Sequence, residues 1–157
     1  MEDALGLYVV KRSGAKEPVS FDKVLDRIGN LCRSRNIKCA YSFVAKKTID
    51  GIYPGIHTSE LDMLAAEHAA YMCMNSSEYD RLASALIVSD LHKETGTFTD
   101  TFNQLKQANL LEMETLKCFS EHQEELEAMI NYNKDYDYDY SGIKTVVKIL
   151  CVGLTRK

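Results

Sequence analysis

The stretch LYVVKRSGAKEPVSFDKVLDRIGNLC, residues 7–32, changes period in its middle, and that change decides the fold. Its first half is an apolar, β-branched run through Tyr8, Val9 and Val10, a break at Ser13-Gly14, and a shorter run ending at Pro18-Val19. Gly14 can take the positive φ of a tight turn, so these residues read as a β-hairpin. From Asp22, the expected N-cap, the spacing becomes helical. Val24, Leu25, Ile28, Leu31 and Cys32 share one face, while Lys23, Asp26, Arg27 and Asn30 fall on others.

Working outward, the same period recurs three times. A second helix is expected from Ser42, with Val44, Thr48, Ile49 and Ile52 turned inward, ended by Pro54-Gly55. A third starts near Thr58 and carries Leu61, Leu64, Ala65, His68, Ala69 and Met72 in one stripe; Glu60 and Asp62 in its opening turn suit the positive end of the helix dipole. Asn75-Ser76-Ser77 interrupts it, and a fourth helix follows with Tyr79, Leu82, Ala83, Leu86, Ile87 and Leu91 on one face. The expected fold is mainly α: an N-terminal hairpin over a four-helix cluster, followed by a helical extension. In that extension Phe98 to Leu105, Leu110 to Phe119 and Leu126 to Ile130 read as shorter helices. The tract Asp135-Tyr-Asp-Tyr-Asp-Tyr140 and an apolar stretch, Val146 to Leu154, come after them.

Composition narrows the function. The chain has 157 residues, 45% hydrophobic and 27% charged, with net charge -4, enough apolar content for a packed core and too acidic overall for a general nucleic-acid binder. Its apolar runs fall far short of the roughly 20 residues of a membrane span, and acids precede the basic residues at the N-terminus, the reverse of a secretory signal. No nucleic-acid or membrane partner is expected, and the location expected is cytoplasmic. Five cysteines, at positions 32, 39, 73, 118 and 151, are odd in number and lack a C-x-x-C pair; they read as reduced core thiols. No nucleophile elbow, Walker loop, dinucleotide fingerprint or zinc-protease helix is present. The notable groups are cations near the hairpin and the helix ends: Lys11, Arg12, Lys16, Lys23, Arg27 and Lys93. Such residues are ordinary on a solvated surface. Lys23, however, sits at a helix start, where free backbone N–H groups already favour an anion.

Four ordered pieces carry a family resemblance: Tyr8-Val-Val-Lys-Arg-Ser-Gly14; Glu17-Pro18-Val19 with Phe21-Asp22-Lys23-Val24; Gly55-Ile-His-Thr58-Ser-Glu-Leu61-Asp62 with Ala65-Ala-Glu67; and Leu91-His-Lys93-Glu-Thr95. In order and spacing they resemble the ATP-cone of class I ribonucleotide reductase large subunits. Thr97-Phe98-Thr-Asp100, Glu124-Glu125-Leu126, the aspartate–tyrosine tract and Gly142-Ile-Lys-Thr145 are similar to the connection that leads to the reductase barrel. The domain division implied is 7–95 for the cone and 96–157 for a helical connector.

The resemblance implies an allosteric adenine-nucleotide site under a hairpin lid. Lys11 and Arg12 would lie on the lid strand facing the phosphates, with Lys23 and Lys93 completing the cationic cradle. Glu17 would approach the adenine, Asp62 the ribose hydroxyl, Thr58 the phosphate or ribose edge, and Val10 and Val24 would be apolar walls. No resident cofactor or protein-held metal is implied; ATP or dATP, with Mg, enters as the allosteric ligand. Simpler readings stay open beside these: Asp62 as an acid answering the helix dipole, Glu17 as an exposed strand-end acid, Thr58 as an N-cap, and His57 and His92 as a turn residue and a helix-end packing residue. Ser141 replaces an aromatic residue usual in relatives, which puts the docking of the last segment in question. Reduction itself belongs to a barrel beyond the matched region, so catalysis by these residues alone is not expected. The leading expectation is a regulatory module that binds ATP or dATP. A nucleotide-independent module that joins reductase subunits, or associates with itself, and a fragment of a complete reductase stay open as alternatives.

Overall fold

The computed structural model describes residues 7–150. Strand β1 (Tyr8–Val10) pairs antiparallel with β2 (Lys16–Pro18) in the register Val9 opposite Glu17. The turn between them is closed by Gly14 N–H donating to the Lys11 carbonyl at 2.8 Å, with Gly14 at φ 80°. Lys11 and Arg12 therefore belong to the turn and not to the strand. A third strand, β3 (Ile56–His57), runs parallel to β1 on its other side, so the sheet order is β2-β1-β3. Pro18, which has no N–H to give, is accommodated because β2 is an edge.

Helices α1 (Phe21–Ser34), α2 (Tyr41–Asp50), α3 (Thr58–Tyr71) and α4 (Ser77–Thr95) form the expected cluster. Ser20, and not Asp22, caps α1: its backbone is extended and its Oγ accepts from the Lys23 N–H, leaving Asp22 as a first-turn acid. The core contains Ile28 and Leu31 from α1, Val44 from α2, Ala65, Ala66 and Ala69 from α3, and Leu82, Leu86 and Val88 from α4. Each such aliphatic side chain of valine size or larger contributes about 1.5–3 kcal/mol by leaving water. The alanine stripe of α3 lets it lie close to α4, its principal neighbour.

Beyond the cluster, α5 (Phe98–Gln107) and α6 (Met113–Met129) pack through Phe98, Phe102 and Phe119, the last two stacked at 3.5 Å between centroids. The two short helices expected in residues 110–130 are one element kinked at His122, whose φ and ψ of -125° and 18° leave the helical region. A 3₁₀ turn (Tyr132–Asp137) and α7 (Tyr140–Leu150) return the chain to α4. Ser84 Oγ donates to the Tyr138 carbonyl at 2.6 Å, and Arg35 lies over the Tyr136 ring, 3.4 Å from its centroid. The aspartate–tyrosine tract is thus structured. Exposed Ser141 does not prevent docking, because Ile143, 2% exposed, and Val147 supply the apolar contact.

The cysteines divide. Cys32 is buried and Cys39 half-buried, but Cys73 and Cys118 are exposed, against the expectation of core thiols; Cys73 follows the end of α3 and Cys118 lies on an outer face of α6. Cys151 and the end of the last apolar stretch lie outside the described residues.

Candidate functional site

A cavity of about 300 Å³ opens where the hairpin turn, the first turns of α1 and α3 and the last turns of α4 converge. Val24, Ile28, Leu61 and Ala65 make its apolar wall; Arg12, Lys23, Arg27, Lys93, Thr58 and Asp62 supply the polar groups. Two helix N-termini therefore meet one space, and each brings the partial positive charge of its helix dipole. Thr58 is the first residue of α3, immediately after its cap at His57.

Electrostatically the site is a set of shared carboxylates. Asp62, only 8% exposed, uses Oδ2 to accept from Arg27 and from Lys93, each at 3.0 Å. It stands in the second turn of α3, two residues past the acid that serves the helix start. Glu60 fills that role, accepting from the His57 N–H at 2.9 Å. Glu17 bridges Lys23 at 2.6 Å and Lys11 at 2.9 Å, and these two lysines, Lys23 foremost, hold its carboxyl below the usual range. Arg12 pairs with Asp90 of α4 and so ties the hairpin turn across to the helix. Burial pushes the Asp90 carboxyl up, Arg12 pulls it back, and the neighbouring Asp62 charge adds to the rise.

Six of the nine residues to which the resemblance gives a place in the site line this cavity: Arg12, Lys23, Val24, Thr58, Asp62 and Lys93. Lys11 and Glu17 stand beside it, joined to it through Lys23. Val10 is not part of the lining, and Ile28, Leu61 and Ala65 join Val24 in the apolar wall instead. Arg27, marked in the sequence as a cation but given no place in the site, lines the cavity, and Ser89 and Asp90, unmarked in the sequence, partner Arg27 and Arg12. Arg27 donates to both Asp62 and Ser89, the latter at 2.9 Å, and its buried Nε has no partner among the described residues. Helical spacing contains the signal for two of them: Arg27 is one turn beyond Lys23, and Asp90 is three residues before Lys93. His92 faces elsewhere, bonded to Asp135 at 2.7 Å and set edge-on against Tyr132 and Tyr136.

The ATP cone domain model matches residues 7–94, which include the hairpin, the four-helix cluster and every residue of the cavity. The chain belongs to the ATP-cone family. That family is one of nucleotide-binding regulatory domains. Similarity extends past the cone: the chain is 41% identical to the ribonucleoside-diphosphate reductase large subunit of Dictyostelium discoideum over 89% of its own length and 18% of that protein. It is 40% identical to the Caenorhabditis elegans large subunit (88% and 19%) and 36% identical to that of vaccinia virus (96% and 21%). The chain thus spans about a fifth of the length of the curated relatives it matches. Among the described residues, no helix is long and apolar enough to cross a membrane.

Proposed function

We propose that this ATP-cone binds ATP or dATP in the cavity between the hairpin turn, α1, α3 and α4, and acts as an allosteric regulatory module of a ribonucleotide reductase. The observation that carries the reading is the convergence of Arg12, Lys23, Arg27 and Lys93 on one cavity that the aliphatic Val24, Ile28, Leu61 and Ala65 also line. Aliphatic side chains suit the flat face of a base, and clustered cations suit a polyphosphate, because hydrogen bonds to an ionised acceptor are about twice as strong as neutral ones. At about 300 Å³ the space is at the lower end for a small-molecule site, so base and sugar fill it and the phosphates lie along the cationic rim. Lys11, Arg12, Lys23 and Lys93 hold the phosphates in this reading, Thr58 and Asp62 the sugar edge, Glu17 the base side and Val24 its apolar face. Among the described residues no three His, Cys, Asp or Glu side chains group to hold a metal ion. The carboxylates at the site already face cations, so magnesium enters on the phosphate oxygens, its usual place beside nucleotides.

Titration calorimetry of the folded chain tests this. Binding of ATP or dATP is expected in the micromolar range, with Lys23→Ala and Lys93→Ala each weakening it about tenfold, as loss of a charged hydrogen bond does. Absence of heat with both nucleotides overturns the reading. The chain's role beside a reductase is tested by mixing it with an intact large subunit and measuring assembly size with and without dATP. A size change that needs the nucleotide supports the regulatory reading, and association indifferent to nucleotide favours a joining module instead.

A further inference from the structure

At the opposite end of α1 from the cavity, two thiols that the sequence separates are brought together. Cys32 lies in the last turns of α1, 3% exposed, and Cys39 lies half-buried in the connection to α2; their sulfur atoms are 4.0 Å apart. The backbone makes this approach. Asn36 adopts a left-handed φ of 51°, and the Ile37 N–H donates back to the Cys32 carbonyl at 2.9 Å, which reverses the chain over the helix end. From α4, Glu78 then accepts from the Lys38 N–H at 2.7 Å and fixes the residue next to Cys39. A disulfide of about 2.05 Å requires the sulfurs to close by about 2 Å, a distance that side-chain rotation and small backbone adjustment can cover.

We propose that Cys32 and Cys39 are a modification site: in the folded chain they are oxidised by a peroxide to a reversible intramolecular disulfide. Accessibility assigns the order of events. The half-buried Cys39 meets the oxidant, and its thiolate attacks a peroxide oxygen. The O–O bond breaks, hydroxide leaves and takes up a proton as water, and Cys39 becomes a sulfenic acid. Cys32 then attacks that sulfur, the S–O bond breaks, and the thiol proton of Cys32 leaves with the hydroxyl as a second water. Two thiols lose two electrons and two protons in total, and the peroxide is reduced to two waters. The same geometry sets the acidities in the required sense. The two thiols share one S–H···S contact, which holds Cys39 below its ordinary value and, together with burial, pushes Cys32 up. Of the charges near them, Arg33 favours the Cys32 thiolate, and Glu78 opposes ionisation of both. The finished bridge would strap the end of α1 to the lead-in of α2 without involving the cavity residues.

The experiment uses the full chain, fully reduced and folded, treated with stoichiometric hydrogen peroxide, quenched by alkylation and mapped by peptide mass spectrometry. The expected product is a Cys32–Cys39 cross-linked peptide lacking two hydrogens, reversed by dithiothreitol. In Cys32→Ser a sulfenic acid at Cys39 is expected to persist and to be trapped by dimedone; in Cys39→Ser no bridge to Cys32 is expected. Recovery of both Cys32 and Cys39 as alkylated thiols under conditions that oxidise the exposed Cys73 or Cys118 overturns the proposal. So does a bridge from Cys39 to any other cysteine in place of Cys32.

Discussion

Replacing Asp62 by asparagine removes one negative charge and leaves two cations that had shared it. Asp62 Oδ2 is 3.0 Å from both the Arg27 and the Lys93 nitrogens. At an effective dielectric constant near 20, each attraction between charges about 4 Å apart is about 4 kcal/mol before solvation is counted. Much of that is returned. The Arg27 and Lys93 side chains keep 30% and 40% of their exposure and rehydrate when the carboxylate is gone, and the asparagine carbonyl still accepts one hydrogen bond. The net cost lies below the roughly 3–5 kcal/mol of breaking a fully buried pair and above the 0–1 kcal/mol of a surface pair; about 2 kcal/mol is expected. For a chain of this size that lowers Tm by about 4–8 °C. Thermal unfolding followed by circular dichroism at pH 7, without nucleotide, reads it directly. A variant melting within about 1 °C of the parent refutes the reasoning, because it would mean that solvent alone compensates both cations. Repeating the melt with saturating nucleotide separates folding from binding, since a ligand that binds only the folded state raises Tm according to its affinity.

Four further outcomes follow from the structure. Asp90→Asn removes the carboxylate that holds Arg12, so ATP is expected to bind several-fold more tightly by calorimetry; weaker binding would mean that the Arg12–Asp90 pair positions the turn for the ligand instead of competing with it. The Asp90 carboxyl is raised by burial, so its ionisation penalises the folded state as pH rises through its folded value and does not do so below its unfolded pKa of about 3.9; relative to the parent, Asp90→Asn is expected to gain stability in urea melts between pH 4 and pH 7. Glu78 has the opposite sign: the Lys38 N–H and then Arg81 hold its carboxyl low, so its stabilisation is complete above about pH 4.3 and is lost as pH falls through the folded value, and Glu78→Gln should flatten that part of the acid limb. Ile143→Ala, at a site 2% exposed, should cost about 2–4 kcal/mol and increase amide exchange in α7 before it does so in α1 or α2.

The features legible in the sequence are those carried by period and by local turn chemistry. The hairpin, with Gly14 at its turn, and the apolar faces of α1 to α4 repeat often enough within one element to be read without knowing their neighbours. β3 was not legible, because two residues, Ile56 and His57, contain no alternation and become a strand only by pairing with Val9 and Val10. The cap of α1 fell two residues early for a related reason: Ser20 and Asp22 are both good caps, and only the extended backbone at Ser20 decides between them. In the site, sequence marked the cations together with Glu17 and Asp62, but neither Asp90 nor the ion pairs among them. Arg12 and Asp90 are 78 positions apart, and Arg27 and Asp62 are 35 apart, separations at which no local pattern reports a contact. The approach of Cys32 to Cys39 likewise depends on the left-handed turn at Asn36, which residue type favours but does not fix.

α4 gives the cavity a route to the rest of the chain. Its C-terminal turns hold Ser89, Asp90 and Lys93 at the cavity, its middle fills the core with Leu82 and Leu86, and its N-terminal half receives the connector through Asp80, Ser84 and contacts with α7. A packed helix does not flex between those ends, so displacement at one is transmitted as rigid-body motion to the other. What the cavity offers to be displaced is the Arg12–Asp90 pair, which joins an exposed turn to this helix. A polyphosphate that takes Arg12 leaves Asp90 half-buried beside Asp62 without its cation, a state that favours either proton uptake or movement of the helix end toward water. Proton uptake on nucleotide binding, measured as a buffer-dependent heat in calorimetry, distinguishes the two. A heat that changes with buffer ionisation enthalpy in the parent chain and not in Asp90→Asn assigns the proton to Asp90, and a buffer-independent heat in both leaves the strain in α4 itself.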